Sequence, residues 1–396
     1  MARYKLTETV NLPSLLIVFA HSKDPSWLNK KVAGLSLINR IIEHAKRAKY
    51  DFYIFTDKKT EKLSKLPLIT NTSQLNCEGY ERIVVTKPDS LPSIECLKAI
   101  KRHELKENEV LIHDYLLAFK PSKDCFELKK LLEPNGFTQL QNFLMTFLQP
   151  VNFKCKSGQI YDLTTPFKIK QAEKEMFKAL IKDTEGFMSK HVERRISLAI
   201  SKRLVNTSIT PNQITIISIL IGLIGAGFIS ISQGFWQITG ALLFLFHSII
   251  DGCDGEIARI KFMESRFGGI LDFWGDNIVH AAIFCAIGIE WAARENKAFP
   301  LMLSAISVIG TFISAFIIYR STMKDKKKSG PLYTSVSNTD KKSKIVKLAD
   351  FLSRRDFIYL VVILAFYRHL DWFLLATAFG TMAFAATLIW IRFKRA

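Results

Sequence analysis

The spacing of apolar positions changes partway along the chain. Up to about residue 185 they come in short runs: 14–20 (SLLIVFA), 51–56 (DFYIFT), Arg82–Thr86 (RIVVT) and Glu109–His113 (EVLIH). Each has the length and β-branched content of a buried strand. Between them, Leu37–Ala48 and 91–104 repeat their apolar residues at helical spacing. Such alternation predicts an α/β layered unit with a largely parallel sheet over residues 1–185. Farther on the runs lengthen to 212–231, 236–257, 268–291, 299–320, 356–368 and 371–391. A span needs about 20 apolar residues, so these predict an all-α membrane unit of six transmembrane helices over 207–396. The fifth is short, and needs either tilt or extension by 348–351.

The segment 182–206 joins the two halves. Val192, Ile196, Ala199, Ile200 and Leu204 recur at helical spacing, with Glu193, Arg194, Arg195, Lys202 and Arg203 around the rest of the helix. This predicts a basic amphipathic helix over 186–206 lying at a membrane interface, the alternative being a helix packed on the first unit. Thr210 and Pro211 then suit the N-cap and first turn of the helix that follows.

Charge adds a partner and an orientation. With 55 Lys and Arg against 36 Asp and Glu, the formal net charge is +19. That calls for an anionic partner. The basic clusters flank membrane segments, which favours a bilayer surface or a nucleotide over nucleic acid. The stretch 321–355 alone carries ten Lys or Arg, and the tail adds Arg392, Lys394 and Arg395. The residues 232–235 carry no charge, and 292–298 set Arg294 and Lys297 against Glu295. The positive-inside rule then puts the N-terminal unit, the C-terminus and the loops 258–267 and 321–355 in the cytosol. Residues 1–13 are polar and the run 15–20 is too short for a secretory signal. The six cysteines show no CxxC pair or metal-ligand spacing, as expected of reduced thiols.

Four aspartates interrupt the apolar half: Asp251, Asp254, Asp272 and Asp276. Carboxylates in membrane helices are costly and mark functional sites by default. Asp251 and Asp254 are i,i+3 and Asp272 and Asp276 are i,i+4, so each pair shares a helix face. Two such helices, facing each other, offer oxygen ligands for one or two hard divalent cations. A cation carrier or proton relay would use the same acids. It would have no need of the rest of the pattern, Asp251-x2-Asp254-Gly255-x2-Ala258-Arg259-x8-Gly268-x3-Asp272-x3-Asp276. Eight fixed identities at that spacing arise by chance on the order of once in 10^7 chains of this length. His247 and His280 lie one turn from Asp251 and Asp276, and read as helix-packing residues.

The pattern resembles the signature of the CDP-alcohol phosphotransferase family over about residues 182–391, including Pro211-Asn212 and the segment from Arg354 to Phe357. The resemblance implies six membrane helices, a homodimer, Mg2+ or Mn2+ (two ions), and displacement of CMP from a CDP-alcohol donor by the hydroxyl of an alcohol or polyol-phosphate acceptor. Residue chemistry suits that reaction. Asp251, Asp254 and Asp272 are natural metal ligands; by resemblance Asp276 completes the metal site and acts as general base. Gly255 and Gly268 clear room for close approach, and Arg259 can grip a phosphate in bidentate fashion. By family position Ala258, Ser265, Pro211 and Asn212 touch the nucleotide. Arg354 and Arg355 are candidates for an acceptor phosphate.

The first unit resembles nucleotidyltransferases that make nucleotide-activated sugars and polyols. Gly34, Leu37 and Ile38 match that family's second motif, and Asp114 sits where it keeps a metal-binding aspartate. Lys30 and Lys31 could meet phosphates. No glycine occurs in 21–27, where the family has its phosphate-cradling loop, so a degenerate, inactive domain is expected. The fusion resembles bifunctional proteins that make CDP-inositol and condense it with inositol phosphate. An inositol-phosphate acceptor in phospholipid synthesis follows, with CDP-diacylglycerol plus a polyol phosphate as the other pairing. The alternative keeps the first unit active in making the donor from CTP.

Overall fold

A computed structural model describes residues 12–20, 27, 29–56, 68–69, 79–121, 137–154, 160–181, 192–322 and 357–393. The chain divides into two compact units, Met1–Met176 and Phe177–Ala396.

In the first unit, β1 (Ser14–Phe19) is buried at every position and runs parallel to both β4 (Tyr50–Phe55) and β6 (Arg82–Thr86). A continuous apolar run suits that place, since a parallel strand is covered on both faces. Seven strands line up in the order β10-β8-β9-β6-β1-β4-β5. Here β5 is Leu68–Ile69, β8 Glu109–His113, β9 Leu116–Phe119 and β10 Gln149–Asn152. Only β9 runs against its neighbours, so the sheet is largely parallel, as the alternation predicts. Short antiparallel pairs join β2 (Lys31–Val32) to β3 (Leu35–Ser36) and β7 (Ser90–Pro92) to β11 (Ile160–Asp162). Leu15, Ile17, Phe19, Val85, Val110 and Phe119 centre a core closed by α3 (Phe137–Phe147).

Helix α1 spans Leu37–Ala48, the predicted bounds. The helix predicted over 91–104 is shorter: α2 runs Ile94–Arg102, because β7 takes 90–92 and Ser93 caps the first turn through Cys96 N. Arg40 is buried and donates to the carbonyls of Val32 and Ala33 at 2.9–3.1 Å, pinning the turn where Ala33 and Gly34 adopt positive φ. Burial lowers its guanidinium to about 10. His44, buried against the Pro92 carbonyl at 2.8 Å, is pulled down by burial to about 4 and so is neutral. The last helix here, α4, is Pro166–Lys178.

The second unit opens with α5 (Arg194–Leu204), inside the predicted 186–206; residues 182–191 lie outside the described residues. Then come α6 (Pro211–Ile229), α7 (Gly234–Lys261), α8 (Arg266–Glu295), α9 (Phe299–Thr322), α10 (Phe357–Phe366) and α11 (Leu370–Phe393). Among the described residues five of these, α6 to α9 and α11, are long and apolar enough to cross a membrane. The fifth predicted span appears as α10, which has ten residues and stops where Arg368 turns to φ 61°. The extension at 348–351 lies outside the described residues. Helix α6 starts with a capping box: Thr210 Oγ1 accepts from Gln213 N and Gln213 Oε1 accepts from Thr210 N. Val279, Ile283, Phe244, Val361 and Leu374 form the core between helices.

Candidate metal centre and donor site

Three helix ends meet here. Helix α6 begins at Pro211, α7 ends at Lys261, and α8 begins at Arg266 with Ser265 as its cap. The helices come close because glycines clear the crossings. A Cβ on Gly240 would stand 2.5 Å from the Gly225 carbonyl, and one on Gly222 would stand 2.5 Å from Val279. Helix α6 is thereby wedged between α7 and α8. Two helix N-termini favour anions and one C-terminus favours a cation.

Asp251 and Asp254 are both buried at the end of α7, while Asp272 on α8 is half-buried. Oxygens from these three carboxylates lie within 4.8 Å of one another. At an effective dielectric near 20, each such pair of charges repels by about 3 kcal/mol, a repulsion that a bound cation would relieve. An all-oxygen donor set from carboxylates is that of Mg2+ or Mn2+, and these residues fit such an ion. Among the described residues no other group of three or more His, Cys, Asp or Glu side chains converges in this way. Asp276 is not one of the three converging carboxylates; its Oδ1 lies 3.6 Å from His247 Nε2.

Three further residues support the site. Thr215, buried one turn into α6, donates to Asp254 Oδ2; its signal was a polar residue four positions after Pro211 in an apolar helix. His247, predicted to pack, does pack against Phe244, but its ring also bridges Ser218 O (2.8 Å from Nδ1) and Asp276. Glu256, inside the motif, is fully buried and accepts from Arg194 and Ser197 of α5. His280 packs edge-on to Phe244 and Phe357 and stays a packing residue.

The other predicted residues surround the carboxylates. Gly268 N donates to Ser265 Oγ at 2.9 Å, and a Cβ on Gly268 would come within 2.8 Å of Asn212 Oδ1. Those contacts bring Asn212, Ser265 and Gly268 together where α6 and α8 begin. Pro211 is buried and its carbonyl accepts from Thr215 Oγ1. Gly255 leaves room for Arg259, whose Nη1 lies 3.2 Å from where a Cβ would stand; Arg259 Nε is buried without a hydrogen bond among the described residues. The Ala258 carbonyl closes the end of α7 by accepting from Met263 N at 2.9 Å. Arg354 and Arg355 lie outside the described residues.

Residues 208–379 match the family model for CDP-alcohol phosphatidyltransferase. The bifunctional IPC transferase and DIPP synthase of Thermococcus kodakarensis is 31% identical over 196 residues, 49% of this chain and 43% of that protein. Its namesake in Archaeoglobus fulgidus is 36% identical over 153 residues, 38% of this chain and 30% of that one. The matched stretch thus spans less than half the length of these relatives. The archaetidylinositol phosphate synthase of Pyrococcus horikoshii is 28% identical over 167 residues, 42% of this chain and 82% of that protein. The C-terminal region of this chain, residues 208–379, is thus similar to CDP-alcohol phosphatidyltransferases.

Proposed function

We propose that the chain is an integral-membrane CDP-alcohol phosphotransferase that releases CMP in phospholipid synthesis. The observation that carries this reading is the convergence of Asp251, Asp254 and Asp272 within 4.8 Å, inside residues matched to that family. Asp251, Asp254 and Asp272 would hold Mg2+ or Mn2+, and Asp276 would complete the set of ligands. Ions held there would supply positive charge to offset the negative charge on the diphosphate oxygens and the leaving CMP.

The chain's own residues do the rest. Arg259 grips a donor phosphate, while Asn212, Ser265 and Gly268 border the nucleotide. Asp276, partly exposed, takes the proton as the acceptor hydroxyl oxygen attacks the phosphorus that bears the donor's alcohol. A P–O bond to the acceptor forms, the P–O bond to CMP breaks, and CMP leaves with the bridging oxygen. Thr215 fixes Asp254 through its hydroxyl, so that carboxylate stays oriented between turnovers.

The names of the relatives favour an inositol-phosphate acceptor. The positive-inside reading of the basic loops puts the N-terminal unit, the C-terminus and this site on the cytosolic side, and α10 is the sixth, short span. A homodimer follows from the family resemblance. On and just before α5, Val192 and Ile196 are exposed alongside Arg195, Lys202 and Arg203, as a helix resting on an anionic surface requires.

The test is CMP release by the purified full chain with Mg2+, candidate CDP-alcohols and inositol phosphate. We expect turnover that EDTA abolishes and Mn2+ or Mg2+ restores. No CMP from any donor and acceptor pair would overturn the assignment.

A further inference from the structure

Glu256 sits in the motif between Gly255 and Ala258, yet its side chain turns away from the three carboxylates. It is fully buried, and its Oε1 accepts from Arg194 Nη1 at 2.9 Å and from Ser197 Oγ at 2.6 Å. Both donors belong to α5. That helix presses on α7 at Gly252, where a Cβ would stand 3.3 Å from Arg194 Nη1 and 3.7 Å from Ser197 Cβ. The buried face of α5 is Ser197, Leu198 and Ser201, with Ile200 and Leu204 packed beside Cys253 and Ile257 of α7, while Ile196, and Val192 just before the helix, stay exposed. A buried ion pair is set into this partly apolar joint, and one turn farther on Arg259 lies within electrostatic reach of both Arg194 and Glu256.

An ion pair this deep is poor stabilisation compared with apolar residues of the same size, so its use points to fixed geometry. Breaking it would leave a carboxylate buried without compensation two residues from Asp254. We propose that Glu256 is a positioning residue: it fastens α5 to α7 behind the aspartates and holds Arg194 beside Arg259, so that two guanidiniums with one carboxylate leave net positive charge for the donor diphosphate. This role rests on the phosphotransferase reading above, and adds α5 to the donor site.

The experiment compares the full-length wild type with Glu256→Gln, Arg194→Met, Arg194→Lys, Ser197→Ala and the Glu256→Gln/Arg194→Met double variant. Donor KM, kcat and thermal midpoint are measured in detergent, and binding of CDP with Mn2+ is followed by calorimetry. Glu256→Gln keeps the hydrogen-bond acceptor and removes the charge. It and Arg194→Met should each raise donor KM and the Kd for CDP roughly tenfold with kcat changed less than threefold, and the double variant should be no worse than either single one. Arg194→Lys should recover part of the loss, and Ser197→Ala should raise donor KM two- to threefold. A structural role alone would lower the thermal midpoint and leave donor KM in place; that result, or additive losses in the double variant, overturns the proposal. Wild-type protein that neither releases CMP nor binds CDP would instead sink the phosphotransferase reading, and this inference with it.

Discussion

Asp276 is the residue whose role separates metal binding from chemistry. It lies on the same helix as Asp272, but its carboxylate is not among the three that converge; His247 stands 3.6 Å away. If it takes the acceptor proton, removing its basicity while keeping its size should stop the reaction without emptying the site. Asp276→Asn should therefore lower CMP release at least a thousandfold and change the Kd for CDP with Mn2+ less than threefold, read by calorimetry on the same sample. Turnover near wild type would remove the base assignment; a lost CDP affinity would make Asp276 chiefly a ligand. The four aspartates were legible because charge in an apolar helix is conspicuous and the spacing fixes the face. Thr215 and the second contact of His247 were not, since both depend on how α6 crosses α7, and nothing local in the sequence states that angle.

Helix crossings are set by what is missing from the side chains. Gly225 and Gly240 face each other across α6 and α7, and a Cβ on either would meet the other's carbonyl oxygen at 2.5–2.9 Å. Backbone cannot yield as a flexible side chain does, so a larger residue must push the helices apart. Gly240→Val should cost about 1–3 kcal/mol. It should also weaken Mn2+ binding, because α6 carries Thr215 to Asp254. Thermal unfolding in detergent and a Mn2+ titration check both effects; full stability with native metal affinity would show that the crossing tolerates bulk. At this scale the sequence was largely legible. Long apolar runs gave α6 to α9 and α11 within a few residues, and β1, β4, β6 and β8 coincide with the short runs to within one residue. Helix α5 was legible as an amphipathic helix, and Ile196 on its apolar stripe is exposed. The burial of Ser197 was not legible, because it follows from its donation to Glu256 on α7.

For the whole molecule, the question is whether the α/β unit supplies the donor. In open α/β sheets ligands sit beyond the carboxyl ends of the strands, here the ends of β1, β6 and β8. The acidic groups at that rim are mostly engaged. Asp89, after β6, pairs with Lys30 at 3.5 Å. Asp162 accepts from Tyr115 Oη at 2.6 Å, from Thr164 N and Oγ1, and from Lys168 Nζ. Burial pushes its carboxyl up, but those donors outweigh it and hold the group well below the usual carboxylate range. Tyr115 is correspondingly raised to about 12, chiefly by its bond to Asp162, so it stays a donor at neutral pH. A carboxylate this saturated has little left to offer a cation, and Asp114 is exposed at the end of β8. One carboxylate on a surface, with no glycine in 21–27 to bring amides to a triphosphate, makes a poor site for CTP with Mg2+. The full chain given CTP, Mg2+ and an alcohol phosphate should therefore release no pyrophosphate above background, while the same preparation releases CMP once a CDP-alcohol is supplied. CTP-dependent pyrophosphate release would show instead that the α/β unit makes its own donor, and that Asp162 exchanges Lys168 for a cation when nucleotide binds.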